Sequence, residues 1–248
     1  MATLTGKTAL VTGGSRGIGR ASALALAKAG AQVLVHYGQS AKDADTTVEE
    51  IVKLGGKAQA VGGDLTMADG PHKLAEKVRE IVGERLDILV ANAGISRPSA
   101  IEATTIAEFD ELFAVNVRAP YFLIQQLLPI IPDGGNIVVV TSLAARAAVD
   151  GISAYSMTKG ALDTMITHFA AALGPKGIRI NAVAPGIVET DMSEFARTDA
   201  GRSYAINMQA LKRVAQPDDI GGVVAFLASE DARWITGDTI RADGGSKL

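Results

Sequence analysis

The chain has 248 residues, 48% of them hydrophobic, with 24 lysines and arginines against 27 aspartates and glutamates and a formal net charge of −3. That length suits one large α/β domain or two small ones, and the balanced charge excludes the basic excess of a nucleic-acid binder. With no cysteine there is no disulfide, thiol nucleophile or thiolate metal site. No run reaches the ~18 apolar residues of a membrane span and the first residues lack a signal-peptide core, so a soluble, reducing, cytoplasmic setting is expected.

The first strand is predicted at Lys7-Thr8-Ala9-Leu10-Val11-Thr12, followed by Gly13-Gly14-Ser15-Arg16-Gly17-Ile18-Gly19 and a helix over 20–29 that Gly30 stops. Strand, glycine-rich turn and helix form the context of a dinucleotide site. Glycines let the backbone approach a pyrophosphate, and the helix start supplies N–H groups and a positive dipole end. The spacing is G-x-x-x-G-x-G rather than G-x-G-x-x-G. The second strand, Gln32-Val33-Leu34-Val35-His36-Tyr37, runs into Gly38-Gln39-Ser40 with no acid before Asp43. An NAD site puts a carboxylate there, about 20 residues past the turn, to hold the ribose. Its absence, with Arg16 inside the glycine turn, favours the 2′-phosphate of NADP over NAD.

A polar-faced helix is predicted over 42–53 and a third strand over 57–61, leading to Gly63-Asp64-Leu65. Asp64 could accept from an adenine amino group, or equally cap a turn. A helix over 72–82 and a strand over 86–90 precede Ala91-Asn92-Ala93-Gly94, whose small residues suit a cofactor lying against the strand end. A long helical region is expected over 104–129, with Asn116 among Phe113, Val115 and Val117.

The β-branched run Asn136-Ile137-Val138-Val139-Val140-Thr141 reads as a buried strand. Ser142 then stands at its C-terminal end, where open α/β sheets place ligands. A helix follows from about 154 to 173, and Tyr155 and Lys159, four apart, share one of its faces. A free tyrosine, with a pKa of about 10, is a poor base, and an ammonium one turn away is expected to lower that value. The serine hydroxyl could hold the substrate oxygen. A sixth strand, 178–183, ends at Ala184-Pro185-Gly186. Residues 187–216 show no regular pattern and are expected to form a substrate lid. A helix over 217–227, a strand over 238–241 and Asp243-Gly244-Gly245 complete the chain. Alternating strands and helices with no linker predict a single α/β domain over 1–248, a Rossmann-type doubly wound parallel sheet of about seven strands. His36, His72 and His168 lie on different elements, so no metal is expected.

Taken together, Thr12-Gly13-x-x-x-Gly17-x-Gly19, Asp64, Asn92-Ala93-Gly94, Asn116, Ser142, Tyr155-x-x-x-Lys159, Pro185-Gly186 and Asp243-Gly244-Gly245 stand in the order and spacing of a known family. The chain resembles the short-chain dehydrogenases/reductases over nearly its whole length, closest to 3-oxoacyl-carrier-protein reductases and related carbonyl reductases. The family's usual Asn-Asn-Ala-Gly is here Ala91-Asn92-Ala93-Gly94.

The resemblance implies roles. Tyr155 is the acid/base. Lys159 lowers the tyrosine pKa and binds the nicotinamide ribose. Ser142 orients the carbonyl, and Asn116 holds a water that links Lys159 to solvent. The cofactor is expected along Gly13, Ser15, Arg16, Gly17, Ile18 and Gly19, then His36, Tyr37 and Ser40 at the second strand end. Asp64 and Leu65 would meet the adenine end, Asn92, Ala93 and Gly94 the middle, and Pro185, Gly186, Val188 and Thr190 the nicotinamide. The implied activity is NADPH-dependent, reversible reduction of a ketone or 3-oxoacyl group by a homotetramer, assembled through the helices carrying Asn116 and Tyr155 and the C-terminal segment. A sugar or polyol dehydrogenase is the alternative within the family, and a non-catalytic dinucleotide sensor the alternative outside it. An enoyl reductase is disfavoured because that branch spaces its Tyr and Lys more widely. Ser246-Lys247-Leu248 reads as a peroxisomal address if the source is eukaryotic.

Overall fold

The computed structural model describes residues 3–246, so Lys247 and Leu248 of the C-terminal tripeptide lie outside the described residues. Seven parallel strands form one sheet in the order β3-β2-β1-β4-β5-β6-β7. They are β1 (Thr8–Val11), β2 (Gln32–Tyr37), β3 (Lys57–Gly62), β4 (Ile88–Ala91), β5 (Asn136–Val140), β6 (Arg179–Pro185) and β7 (Thr239–Ala242). The chain builds outward from β1 to β3, returns to the other side of β1, and then builds outward to β7. The reversal falls between β1 and β4, which pair with Ala9 opposite Ile88. Open sheets bind ligands at such a switch point, beyond the strands' C-terminal ends. The Rossmann-type α/β fold expected from the alternating pattern is therefore present.

Period-two alternation divides the core into two layers. Leu10, Leu34, Leu89, Ile137 and Ile180 point to one face, under α3 (Gly70–Val82), α5 (Ala119–Leu127) and α6 (Ser153–Leu173). Ala9, Val11, Val33, Val35, Val90, Val138 and Val183 point to the other, under α1 (Gly17–Lys28), α2 (Ala41–Lys53) and α8 (Pro217–Leu227). With apolar side chains buried on both faces, the strands read as continuous hydrophobic runs.

Two stretches depart from the sequence expectation. The region 104–129 is not one α-helix. Thr105 opens α4 (Ile106–Phe113) with a capping box to Glu108, the ladder widens to a π turn at Ala114–Arg118, and α5 follows. Pro120 has no N–H for the Asn116 carbonyl, so the regular i to i−4 bond cannot form there. Ala119 N–H donates to Ala114 O instead. The second departure is in 187–216, which contains a 3-10 segment at Asp191–Arg197 and a true helix, α7 (Asp199–Met208), capped by Thr198. Its inward residues, Gly201 and Ala205, are too small to show an apolar stripe in the sequence. Among the described residues no helix is long and apolar enough to cross a membrane.

Candidate active site

The turns at the C-terminal ends of β1, β4, β5 and β6 converge at the switch point. Gly13 and Gly17 adopt positive φ, 63° and 54°. A Cβ on Gly19 would lie 2.0 Å from Gly13 O, so only glycine fits. The turn is tied to β4 through Thr12 and Asn92. Thr12 Oγ1 accepts from Asn92 N–H and Ala93 N–H at 2.9 and 3.0 Å, and Asn92 Nδ2 donates to Thr12 O and Gly13 O at 2.9 and 3.2 Å. Asn92 thus holds the glycine turn in place. The first-turn N–H groups of α1 have no intrahelical partner. No side chain caps them and no acid sits in that turn. They form a donor set suited to a pyrophosphate.

Gly94 leads from this turn to the reactive residues. A Cβ there would lie 3.2 Å from Asn116 Oδ1 and 3.6 Å from Lys159 Nζ. Asn116, 1% exposed, accepts from Ile95 N–H at 2.9 Å and donates to Ile95 O at 2.9 Å and Thr158 Oγ1 at 3.1 Å. Its two amide protons and one lone pair of its oxygen tie the segment after β4 to α6. Thr158, which holds it, was not anticipated, although its place beside Lys159 in Tyr-x-x-Thr-Lys was a signal.

Ser142 opens a 3-10 turn after β5. Its Oγ accepts from Ala144 N–H at 3.1 Å and faces the Tyr155 phenol closely enough to lower its pKa. Lys159 is buried, its Nζ 5.5 Å from the Tyr155 ring centroid and donating to Val140 O at 3.0 Å. The expected direction of the tyrosine shift is not met in this structure. Burial of the hydroxyl pushes Tyr155 above its ordinary value, and the Ser142 hydroxyl only offsets this. Burial brings Lys159 down to about 8, against a raising influence from Asp163 one turn on. Desolvation disfavours both charged forms, and the ammonium is not among the influences that move the phenol's pKa.

The expected cofactor residues divide into two groups. Gly13, Gly19, Asn92 and Ala93 meet at the crevice, Thr190 Cγ2 lies 3.3 Å from where a Gly17 Cβ would stand, and Gly94 lies against Asn116 and Lys159. Ser15, Arg16 and Ile18 belong to the same turn and the head of α1, with Ile18 packed against the core, and Gly186 lies against Asp243. Pro185 ends β6 beside them. Asp64 is exposed and accepts from Thr66 N–H at 2.9 Å, so it makes the turn that was its alternative role. Leu65 and Val188 are packed in the core. His36 is 2% exposed, with its ring between Gly13 and Gly63, and does not reach the crevice as expected. Tyr37 lies against Gly62 and Ser40 precedes α2. Arg16 pairs with Asp191 at 3.3 Å across the crevice mouth, a contact the sequence did not signal. An open depression of about 570 Å³ lies beside the first turn of α6, lined by Ala147, Ala148, Val149, Asp150, Ser153 and Ser156.

A glycine-rich turn beside two half-buried hydroxyls and a buried amine is an arrangement that a nucleotide-dependent oxidoreductase would use. Comparison with known proteins makes that class specific. A family model described as Enoyl-(Acyl carrier protein) reductase matches residues 13–247. The crystal structure of the angucycline C-6 ketoreductase LanV with bound NADP superposes at a TM-score of 0.93, with 44% identity over 98% of this chain and 96% of that one. The reductase LugOII, described as catalysing keto-reduction at C1 during lugdunomycin biosynthesis, gives 0.94 and 43% over the whole of both chains. The hydroxynaphthalene reductase of Aspergillus fumigatus is 38% identical over 247 residues, 95% of this chain and 90% of that protein. The chain belongs to the short-chain dehydrogenase/reductase family, NAD(P)-dependent enzymes that act on C=O and CH–OH groups.

Proposed function

We propose that the protein is an NADPH-dependent reductase of a ketone on an aromatic or polyketide-like substrate. The observation that carries this reading is the Ser142–Tyr155 hydroxyl pair beside buried Lys159, at the mouth of a crevice whose other wall is a dinucleotide cradle. When bound, the nicotinamide supplies the hydride. Ser142 would hold the carbonyl oxygen, and Tyr155, a phenol whose ionisation burial makes harder still, would donate the proton to the developing alkoxide. A phenol kept protonated favours the reductive direction. Lys159 would hold the nicotinamide ribose and keeps a positive charge close to the tyrosine ring.

NADP is favoured because no carboxylate follows β2 before Asp43 and because Arg16 stands exposed at the cradle. The relatives crystallised with NADP support the same choice. The small side chains Ala147, Ala148 and Val149 in the depression beside α6, and exposed Met192 and Phe195 on the 3-10 segment after β6, suit a flat apolar ketone and a covering role for 187–216, with Asp150, Ser153 and Ser156 left for its polar substituents. Relatives named for ketones of fused aromatic systems support that substrate class. The family model's description raises reduction of a carbon–carbon double bond as a second reading. The three-residue gap between Tyr155 and Lys159 and the ketoreductases among the relatives favour the carbonyl.

Tyr155→Phe tests the assignment. NADPH oxidation with a tetralone-type ketone falls by about 10²–10⁴-fold, the usual worth of a positioned acid, while NADPH affinity stays within a small factor. Near-normal turnover in the variant would refute it. Faster turnover of an enone than of the ketone by wild-type protein would transfer the site to double-bond chemistry.

A further inference from the structure

Two N–H groups of the glycine-rich turn are already taken. Gly14 N–H donates to the main-chain oxygen of His36 at 2.8 Å, and Gly13 N–H donates to Nδ1 of the same residue's ring at 3.1 Å. On its other side the ring places Nε2 3.0 Å from Gly63 O, at the end of β3. A carbonyl only accepts, so Nε2 carries the proton; Nδ1, which receives the Gly13 proton, carries none. Both ring nitrogens are therefore satisfied only in the neutral Nε2–H tautomer. Burial agrees with this, bringing the pKa to about 4 against a raising contribution from the Gly63 carbonyl. Lys77, which reaches from α3 to donate to Gly62 O at 2.8 Å, is the charged group that faces the ring and also lowers its pKa. The turns after β1 and β3 meet the ring with the Gly13 amide and the Gly63 carbonyl, and both the ring and Leu74 of α3 lie beside Gly63.

We infer that His36 is a positioning residue for the dinucleotide site: it cross-links the turn after β1 to the end of β3 and, by using the Gly13 and Gly14 N–H groups, leaves those at the head of α1 as the phosphate donors. It touches no substrate; it acts through Gly13. This rests on the dinucleotide reading above. A protonated ring would present Nδ1–H to Gly13 N–H, donor against donor, so the turn should loosen when the ring is charged.

The test is NADPH affinity of wild type, His36→Asn and His36→Leu between pH 4.5 and 8, with thermal melting alongside and histidine ring ¹⁵N spectra of the wild type. An asparagine Oδ1 can accept the Gly13 N–H and cannot titrate, whereas leucine leaves two buried polar groups unpartnered. At pH 7.5 His36→Leu should bind NADPH about tenfold more weakly, as the loss of a buried hydrogen bond implies, and His36→Asn should stay within about threefold of wild type. From pH 8 to 5 wild-type affinity should track that of His36→Asn, with a slight extra weakening only near pH 4.5, where a ring with a pKa of about 4 begins to charge. A His36→Leu protein that melts earlier yet binds NADPH as tightly as wild type overturns the inference, because a purely structural role predicts that pattern. Should His36→Leu not fold, the spectra decide: an Nδ1–H or charged ring at pH 6 overturns the inference, and a neutral Nε2–H ring supports it. If wild type binds neither NADPH nor NADH, the dinucleotide reading itself fails and this inference falls with it.

Discussion

Lys159 is the residue on which the chemistry and the electrostatics pull hardest against each other. It is buried, its amine donates to the Val140 carbonyl, and burial has brought its pKa to about 8. Its folded pKa lies below the unfolded value of 10.5. Below about pH 8 the native protein therefore holds an ammonium at a desolvation cost. Between about 8 and 10.5 the unfolded chain binds the extra proton, and this group's contribution to stability rises with pH. Catalysis runs the other way, because the charge beside Tyr155 disappears over the same rise. The reduction rate should fall as pH passes about 8, while the denaturant midpoint should not fall with it. Lys159→Met should lose most activity yet melt no lower than wild type; a large drop in melting temperature would show the ammonium to be stabilising. Arg16 is a simpler case. Its pair with Asp191 joins two exposed groups and is worth little, so its release for a phosphate costs little. Arg16→Ala should raise KM for NADPH about tenfold, the worth of a charge-assisted hydrogen bond, and leave KM for NADH nearly unchanged. Equal effects on both would remove Arg16 as the basis of the NADP choice.

At the scale of elements, the turn between β1 and α1 is the most constrained piece of backbone. Gly19 is buried against Gly13 O, and Asn92 Nδ2 is held over the same turn. Gly19→Ala forces a methyl to within 2.0 Å of a backbone oxygen that Asn92 already fixes, so α1 must move away from β1. The expected result is a marked fall in melting temperature together with loss of dinucleotide binding, measured by thermal shift with and without NADPH. Retained ligand-induced stabilisation would show that the turn yields more than the geometry suggests. The π turn at Ala114–Arg118 is the second such element. It arises where Pro120 interrupts the helical ladder, and π bulges are frequent at functional sites. Here the turn carries Asn116 to the segment after β4, beside Lys159.

For the whole molecule, the reversal of strand order between β1 and β4 gathers the ends of four strands at one crevice, and both faces of the sheet are covered by helices. Large apolar side chains remain uncovered. Ile106 and Tyr121 on α4 and α5 and Met157 on α6 are exposed, and Trp234, shortly before β7, is 97% exposed. Scattered apolar residues are normal on a surface. These lie on the helices and the C-terminal segment through which the family resemblance implies a tetramer. Sedimentation equilibrium should return four times the 25.6 kDa chain mass. A monomer at micromolar concentration would overturn that expectation.

The linear sequence determined the strand-and-helix alternation, the parallel sheet and the members of the site that carry a spacing. Continuous β-branched runs, glycines at a turn and a tyrosine four residues before a lysine are local signals, set by backbone geometry and periodicity. It also marked Ser142 and Asn92 by their places at strand ends. Tertiary structure alone decided the rest. The helix over 199–208 is hidden because its buried face is glycine and alanine. The break at 114–118 depends on how a proline four residues after Asn116 meets the helical ladder. His36 reads as a cofactor contact in the sequence and is a buried cross-link in the fold, since only the pairing of β2 with β1 and β3 brings Gly13 and Gly63 to its ring. The charge states of Tyr155 and Lys159 follow the same rule. Spacing brought the two together, but desolvation, which no local pattern encodes, set which way each pKa moved.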